Sequence, residues 1–268
     1  ENMPGIAALG AVLQALLQGG SFPSHAALCR LRNRLESALR SAFPPVLFNT
    51  PLAHSLPTTL NFSVPGLPSK QVLDVFDAAG LRVSAGSACS AGKAQPSHVL
   101  KAMGLPAWRC ESAVRLSIGL LSTEAQVTAA CEAIARCGQA LAVMPIAAAE
   151  AVPQLAATAD PAAMVATATA TLHWHELDAF LHAHPAAQLV DLREVAEQQV
   201  SGGLHHGRHT AVSAPVSQLP RHAALWAGTA PVVLVCRSGK RSLQVAQWLL
   251  GQGHTTVRHL HGGLALRP

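Results

Sequence analysis

Pro231-Val-Val-Leu-Val-Cys236-Arg-Ser-Gly-Lys-Arg-Ser242 decides the fold of the C-terminal part of the chain. The short run Val232 to Val235, bounded by proline and a polar loop, predicts a buried strand. Apolar spacing from Lys240 to Leu250 predicts a helix, which Gly251 should close. A strand that runs into a cysteine, a short polar loop and a helix start is an anion cradle. Successive backbone N–H groups and the helix N-terminus converge on whatever Cys236 holds. Arg237, Lys240 and Arg241 add positive charge, the setting in which a cysteine acts as thiolate. Such a thiolate accepts sulfane sulfur, and the same cradle stabilises the resulting persulfide anion. A structural cysteine at a strand end would explain the strand but not three cations and a glycine placed directly after it.

Working outward, strands are predicted at Gln188 to Leu192, at Val212 and at Val257 to Leu260, with a helical turn after the first. Alternating strands and helices within about a hundred residues predict a small, mostly parallel sheet with helices on both faces. Residues 172–268 resemble the rhodanese family through the Cys236 to Ser242 loop, Asp191-Leu-Arg193, and Gly262-Gly263. The six residues from Cys236 to Arg241 are similar in length to a rhodanese loop. Related phosphatases and arsenate reductases tend to carry a longer one and stand as the lesser enzymatic alternative. His205-His206-Gly207-Arg208-His209-Thr210-Ala211 is only loosely similar to the family's His-Ile-Pro-Gly-Ala stretch. The chain ends at Leu264-Ala-Leu-Arg-Pro268, where many rhodaneses continue with Trp and a further helix, so the end is read as clipped. The resemblance implies a sulfurtransferase that needs no cofactor. Cys236 would carry the sulfur, and Arg237, Ser238, Gly239, Lys240, Arg241 and Ser242 would form the persulfide loop.

Residues 1–142 also read as mixed α/β. Helices are predicted at Gly5 to Gln18, His25 to Arg40 (stopped by Pro44-Pro45), Lys70 to Ala79, from near Ser97, and Thr123 to about Leu141. Thr123 with Gln126 makes a capping box. Strands are predicted at Val46 to Phe48, Thr59 to Val64, Leu81 to Ser84 and Ala113 to Ile118. Between the last two lies Val83-Ser-Ala-Gly86-Ser-Ala-Cys89-Ser-Ala-Gly-Lys93. A loop of such small residues cannot pack a core, so it is expected to be exposed and mobile, as a delivery arm must be. Taken alone, a cysteine in such a loop is an ordinary feature.

Four stretches give that cysteine more weight: Glu1-Asn-Met-Pro-Gly5, Leu56-Pro-Thr-Thr-Leu-Asn-Phe-Ser63, Ser84-Ala-Gly-Ser-Ala-Cys-Ser90 with Pro96 to Gly104, and Val114-Arg-Leu-Ser-Ile-Gly119 with Ser122-Thr-Glu124. Residues 1–142 thereby resemble the C-terminal, small α+β portion of a cysteine desulfurase, a pyridoxal phosphate enzyme of the class V aminotransferase fold. Thr58 stands where Asn is usual. The resemblance implies that Cys89 takes the substrate sulfur as a persulfide and that Arg115 anchors the substrate carboxylate. A guanidinium fork suits that second role; the plainer reading of Arg115 is a surface salt bridge. The family's cofactor lysine lies upstream of the stretch resembling Glu1 to Gly5. The four lysines here, Lys70, Lys93, Lys101 and Lys240, sit in no matching context. Desulfurase turnover is therefore not expected from this chain alone. Either the segment is part of a longer protein that carries the large domain or it is a remnant; the absent initiator Met favours the first.

Composition narrows the partners. Half of the 268 residues are hydrophobic, enough for real cores, although much of that fraction is alanine. The net charge of +5 is spread along the chain; its densest run, Arg30, Arg32, Arg34 and Arg40, reads as a solvated helix face, so no nucleic-acid partner is expected. The six cysteines form no CxxC pair, and free thiols in a reducing cytoplasm are the default. Cys29, Cys131 and Cys137 read as packing residues. The histidines of His173-Trp-His175, His182-Ala-His184 and the 205–209 cluster lack companion ligands, so no metal is expected. No membrane span is visible.

Residues 143–171, rich in Ala, Pro and Thr, read as a linker whose r.m.s. span is roughly 30 Å. Two sulfur-transfer modules are thus expected on one chain. The donor would be L-cysteine or a thiosulfate-like compound, and the acceptor a protein or small thiol, an iron–sulfur scaffold among the protein candidates. A full-length parent would be a homodimer. The alternatives are a rhodanese acting alone, with the desulfurase-like part as a docking module, and an inert scaffold.

Overall fold

The computed structural model describes residues 2–85, 97–142, 170–219, 222, 226 and 230–268. The chain divides into two compact units, Glu1–Ala142 and Val143–Pro268.

In the first unit, α1 (Met3–Gln18) starts at Asn2, whose side chain accepts the Gly5 N–H. It has no charged residue and buries none of its side chains. Helix α2 (His25–Ala42) is capped by Ser24 and buries the stripe Leu28, Leu31, Arg32, Leu35 and Leu39. That stripe corrects the solvated reading of the arginine run at one position, while Arg30, Arg34 and Arg40 are exposed as expected. Arg32 lies at helical spacing from the core leucines, is only 8% exposed, and donates from Nη1 to the Leu52 carbonyl at 3.0 Å. Arg34, in contrast, reaches across to Glu124 and Thr128.

Strands β1 (Leu47–Phe48), β2 (Thr59–Ser63) and β3 (Ala113–Ser117) form an antiparallel sheet in that order. Between them lie α3 (Ser69–Ala78), α4 (His98–Ala102) and α5 (Ala107–Glu111), the last not anticipated from the sequence. The strand expected at Leu81 to Ser84 reduces to a single antiparallel bridge between Ser84 and Arg115. Helix α6 (Glu124–Ala142) opens with the predicted box: the Gln126 N–H donates to Thr123 Oγ1 at 3.2 Å, and the Thr123 N–H donates to Gln126 Oε1 at 2.9 Å. Gly138 lets α6 approach the end of α2, because a Cβ there would strike the backbone and side chain of Ala42. Leu35, Leu39, Phe62, Phe76 and Ile134 are fully buried between helices and sheet. Truncating any one to Ala would cost about 2–5 kcal/mol.

The second unit is a five-stranded parallel sheet in the order β4 (Thr171–Leu172), β10 (Val257–Leu260), β9 (Val232–Val235), β5 (Gln188–Asp191), β8 (Val212–Ser213). Strand residues alternate between two cores, the two-residue period a sheet buried on both faces requires. Val190, Val232 and Leu234 pack with Val245, Ala246 and Leu249 of α9 (Lys240–Gly251). Leu189, Val233, Val235 and Leu260 pack with Leu177 and Leu181 of α7 (Trp174–Ala183). After β5 comes α8 (Val195–Ser201), and β6 (His205–His206) and β7 (His209–Thr210) form a hairpin. Helix α9 runs through Gly251, which was expected to close it; Gln252 is the cap and Gly253 turns the chain with φ +90°. Of the expected linker, residues 143–169 lie outside the described residues, and β4 begins at Thr171.

Candidate functional site

Cys236 follows β9 directly and is completely buried. Its loop bends back through Gly239, whose φ of +81° makes it the left-handed cap of α9. A side chain would be strained at that φ, and a Cβ would sit 2.7 Å from the Gly262 N. Because α9 starts here, the Ser242 N–H points at Cys236 Sγ, 3.4 Å away. The Ser242 hydroxyl lies 3.6 Å from the same sulfur and donates to the Gly239 carbonyl at 3.0 Å. A helix-start amide facing the sulfur is the element expected of an anion cradle.

Three braces hold this loop. Leu264 and Ala265 donate their N–H groups to the Cys236 and Arg237 carbonyls at 2.9 and 2.8 Å, so the turn Gly263–Leu266 backs the loop. Trp174 at the start of α7 fixes that turn through Nε1 to the Gly263 carbonyl, 2.8 Å. Beside Cys236, where Asp191 pairs in register with Val235, the Arg193 guanidinium grips Asp191 at 2.6–3.1 Å and also bonds Gly202. Both partners of that pair are buried.

The three cations expected around the sulfur are not equivalent. Lys240 is exposed and Arg237 half-buried. Arg241 instead directs both terminal nitrogens at Glu197, a fully buried residue of α8, at 2.6 and 2.7 Å. Glu197 was not anticipated as a site residue. Its only sequence signal is the Glu194-x-x-Glu197 spacing of a helix start, which gives no hint of a partner 44 positions later.

Cys89 and its loop from 86 to 96 lie outside the described residues. Their flanks are ordered by the sheet and by a cap. Ser84 exchanges both backbone hydrogen bonds with Arg115, at 2.7 and 3.0 Å, and Ser97 caps α4 by accepting the Leu100 N–H. Arg115 on β3 is exposed and lines an open depression of about 350 Å³ with Thr50, Ser55, Thr59, Asn61 and Ser117. Among the described residues it makes no ion pair. Asn61 on its rim is held by Asn49, which donates to it at 2.7 Å and to Ser63 at 2.8 Å. Arg109 completes that network through Nε to Asn49.

The other thiols behave as packing groups. Burial pushes the Cys137 thiol up to about 12, and Cys131 is raised for the same reason. Cys29 contacts His25 one helical turn away. Among the described residues no group of three or more His, Cys, Asp or Glu could hold a metal ion, and no helix is long and apolar enough to cross a membrane.

Residues 1–130 match the family model described as aminotransferase class-V, and residues 173–266 match that of the rhodanese-like domain. The chain is thus similar to two families in turn, to the first over residues 1–130 and to the second over residues 173–266. A cysteine desulfurase of Nostoc sp. is 36% identical over 129 residues, 47% of this chain and 32% of the relative. One of Bradyrhizobium diazoefficiens is 38% identical over 128 residues, with the same shares. The chain thus spans about a third of the length of the curated relatives it matches. Among solved structures, a rhodanese-related protein of Thermoplasma volcanium aligns over 36% of this chain and 88% of its own, at 19% identity and TM-score 0.29.

Class V desulfurases imply pyridoxal phosphate, which needs a lysine in a concave site. Lys70 is exposed on α3 and paired with Asp74 at 2.6 Å; Lys101 and Lys240 are exposed on their helices. Lys93 lies outside the described residues. The described lysines do not fit that cofactor.

Proposed function

We propose that the chain transfers sulfur as cysteine persulfide, with Cys236 as the carrier. The observation that supports this most is the Ser242 N–H aimed at Cys236 Sγ at the start of α9, in a segment matching the rhodanese-like family. With thiosulfate as donor, the Cys236 thiolate attacks the sulfane sulfur. One S–S bond forms, the bond to the sulfonate sulfur breaks, and sulfite leaves with its electron pair. The persulfide anion rests against the Ser242 N–H and the α9 terminus, where its charge is favoured. An acceptor thiolate, on a protein or a small molecule, then takes the outer sulfur and returns Cys236 as thiolate.

In a full-length parent the donor is L-cysteine. Arg115 would hold its carboxylate. Where the parent supplies the cofactor that activates the C–S bond, that bond would break, and the β-carbon would take up a proton and leave as alanine. The sulfur would join Cys89 as a persulfide, whose outer sulfur the Cys236 thiolate would attack, releasing Cys89 as thiolate. Covalent tethering supports the relay, since a flexible linker gives an effective concentration on the order of millimolar. The parent is a cytoplasmic homodimer in this reading. That residues 143–268 form a compact unit of their own favours a second reading, in which the rhodanese-like part works alone and residues 1–142 dock a partner. Thiosulfate:cyanide sulfur transfer by this chain, abolished in Cys236→Ala, is the expected result; no transfer by the unaltered chain would leave a scaffold. Cysteine feeding of a complete parent carrying Cys89→Ser separates the two readings. Full loading of Cys236 in that variant contradicts the relay.

A further inference from the structure

We infer that Glu197 is a positioning residue for Cys236, acting through Arg241; this rests on the reading of Cys236 as sulfur carrier. Glu197 has no solvent exposure, and Arg241 meets its carboxylate with both terminal nitrogens at 2.6 and 2.7 Å. The carboxylate is itself held: Glu197 Oε2 also accepts the Glu194 N–H at 2.8 Å, which ties it to the first turn of α8. Arg241 is the second residue of α9, and the next residue, Ser242, supplies the amide at 3.4 Å from Cys236 Sγ. The bidentate pair therefore sets the orientation of the helix start that presents this amide to the sulfur. Planar fork geometry fixes direction as well as distance, which a single contact would not.

The pair also spends the Arg241 charge on a buried carboxylate. Donor recognition then falls to the rim of the loop, where Lys240 and Ser238 are exposed. A change at Glu197 should accordingly reach the rate of sulfur uptake before it reaches donor binding. A shift of about 1 Å in a reacting group costs up to about 100-fold in rate. Glu197→Gln keeps the shape, leaves Arg241 without a counter-charge and replaces one acceptor oxygen by an amide donor.

The test is the thiosulfate dependence of Cys236 persulfide formation, followed by rapid quench and intact mass, normalised to folded protein. Glu197→Gln is expected to lower the saturating rate by about 10- to 100-fold and to change half-saturating thiosulfate by less than about threefold. In Glu197→Gln/Arg241→Lys the losses should not multiply, because both changes break one pair. Should Glu197→Gln fail to fold, Arg241→Lys alone keeps the cation, loses the fork and is expected to show the same rate loss. A normal rate per folded molecule in the variant that folds, or multiplying losses, overturns the positioning role. An unaltered protein that takes up no sulfur refutes the Cys236 reading instead.

Discussion

Replacing Gly263 by alanine should damage the Cys236 loop more than any other single methyl group. Gly263 sits at φ +55°, in the left-handed region. An L side chain there costs about 1–2 kcal/mol from backbone sterics alone. The added Cβ would also lie 2.6 Å from Gly239 N, 3.0 Å from Arg237 C, and closer still to the Cys236 carbonyl oxygen. All three are backbone atoms, so no side chain can rotate away. Ordinary contact begins near 3.4 Å, so the loop must yield by about 0.8 Å or more at Gly239. Overpacking of that kind costs about 1–3 kcal/mol. Together these predict a loss of about 2–5 kcal/mol in urea unfolding and, from the displaced loop, about 100-fold slower persulfide formation from thiosulfate. The mechanical coupling is direct, since Leu264 next door donates to the same Cys236 carbonyl. Wild-type loading kinetics with an unchanged urea midpoint in Gly263→Ala would refute the packing of this turn on the loop.

Further consequences can be measured on stability. Asp191→Asn leaves Arg193 buried without its counter-ion, and a loss of about 3–5 kcal/mol is expected in urea melts; a loss under 1 kcal/mol would argue against that pair. Gly138→Ala forces α6 off Ala42 and should cost about 1–3 kcal/mol, read as an earlier thermal unfolding of the first unit. Burial, joined by the neighbouring His261 and His173, lowers the His259 pKa from 6.5 to about 4. The unfolded chain therefore binds a proton that the folded chain refuses. The stability this contributes is present above pH 6.5 and lost as pH falls toward 4, at most about 3 kcal/mol. His259→Asn should flatten that slope in pH-dependent melts, and an unaltered slope would contradict the assignment.

Legibility in the sequence followed locality. Strand β9, the loop and α9 could be read because each is announced by adjacent residues: an apolar run, a glycine at a tight turn, a helical stripe. The capping box at Thr123 and the stop at Pro44-Pro45 were equally local. Arg32 was misread because an arginine at a core-facing spacing looks solvated until a carbonyl from a distant turn, that of Leu52, is placed beside it. The expected strand at Leu81 to Ser84 shrank to one bridge, since β character there depends on pairing with β3. Helix α5 is a single short turn with too few residues for a period to show. Around Cys236 the strand–loop–helix layout was readable, but the Glu197–Arg241 and Trp174–Gly263 contacts join residues far apart in sequence. No single sequence carries that information.

The most direct test of the central claim is intact-mass spectrometry of the chain after incubation with thiosulfate, with peptide mapping of any added sulfur. The account predicts a gain of one sulfur atom, mapped to Cys236 and absent in Cys236→Ala. No gain, or a gain mapped only to another cysteine, would contradict it.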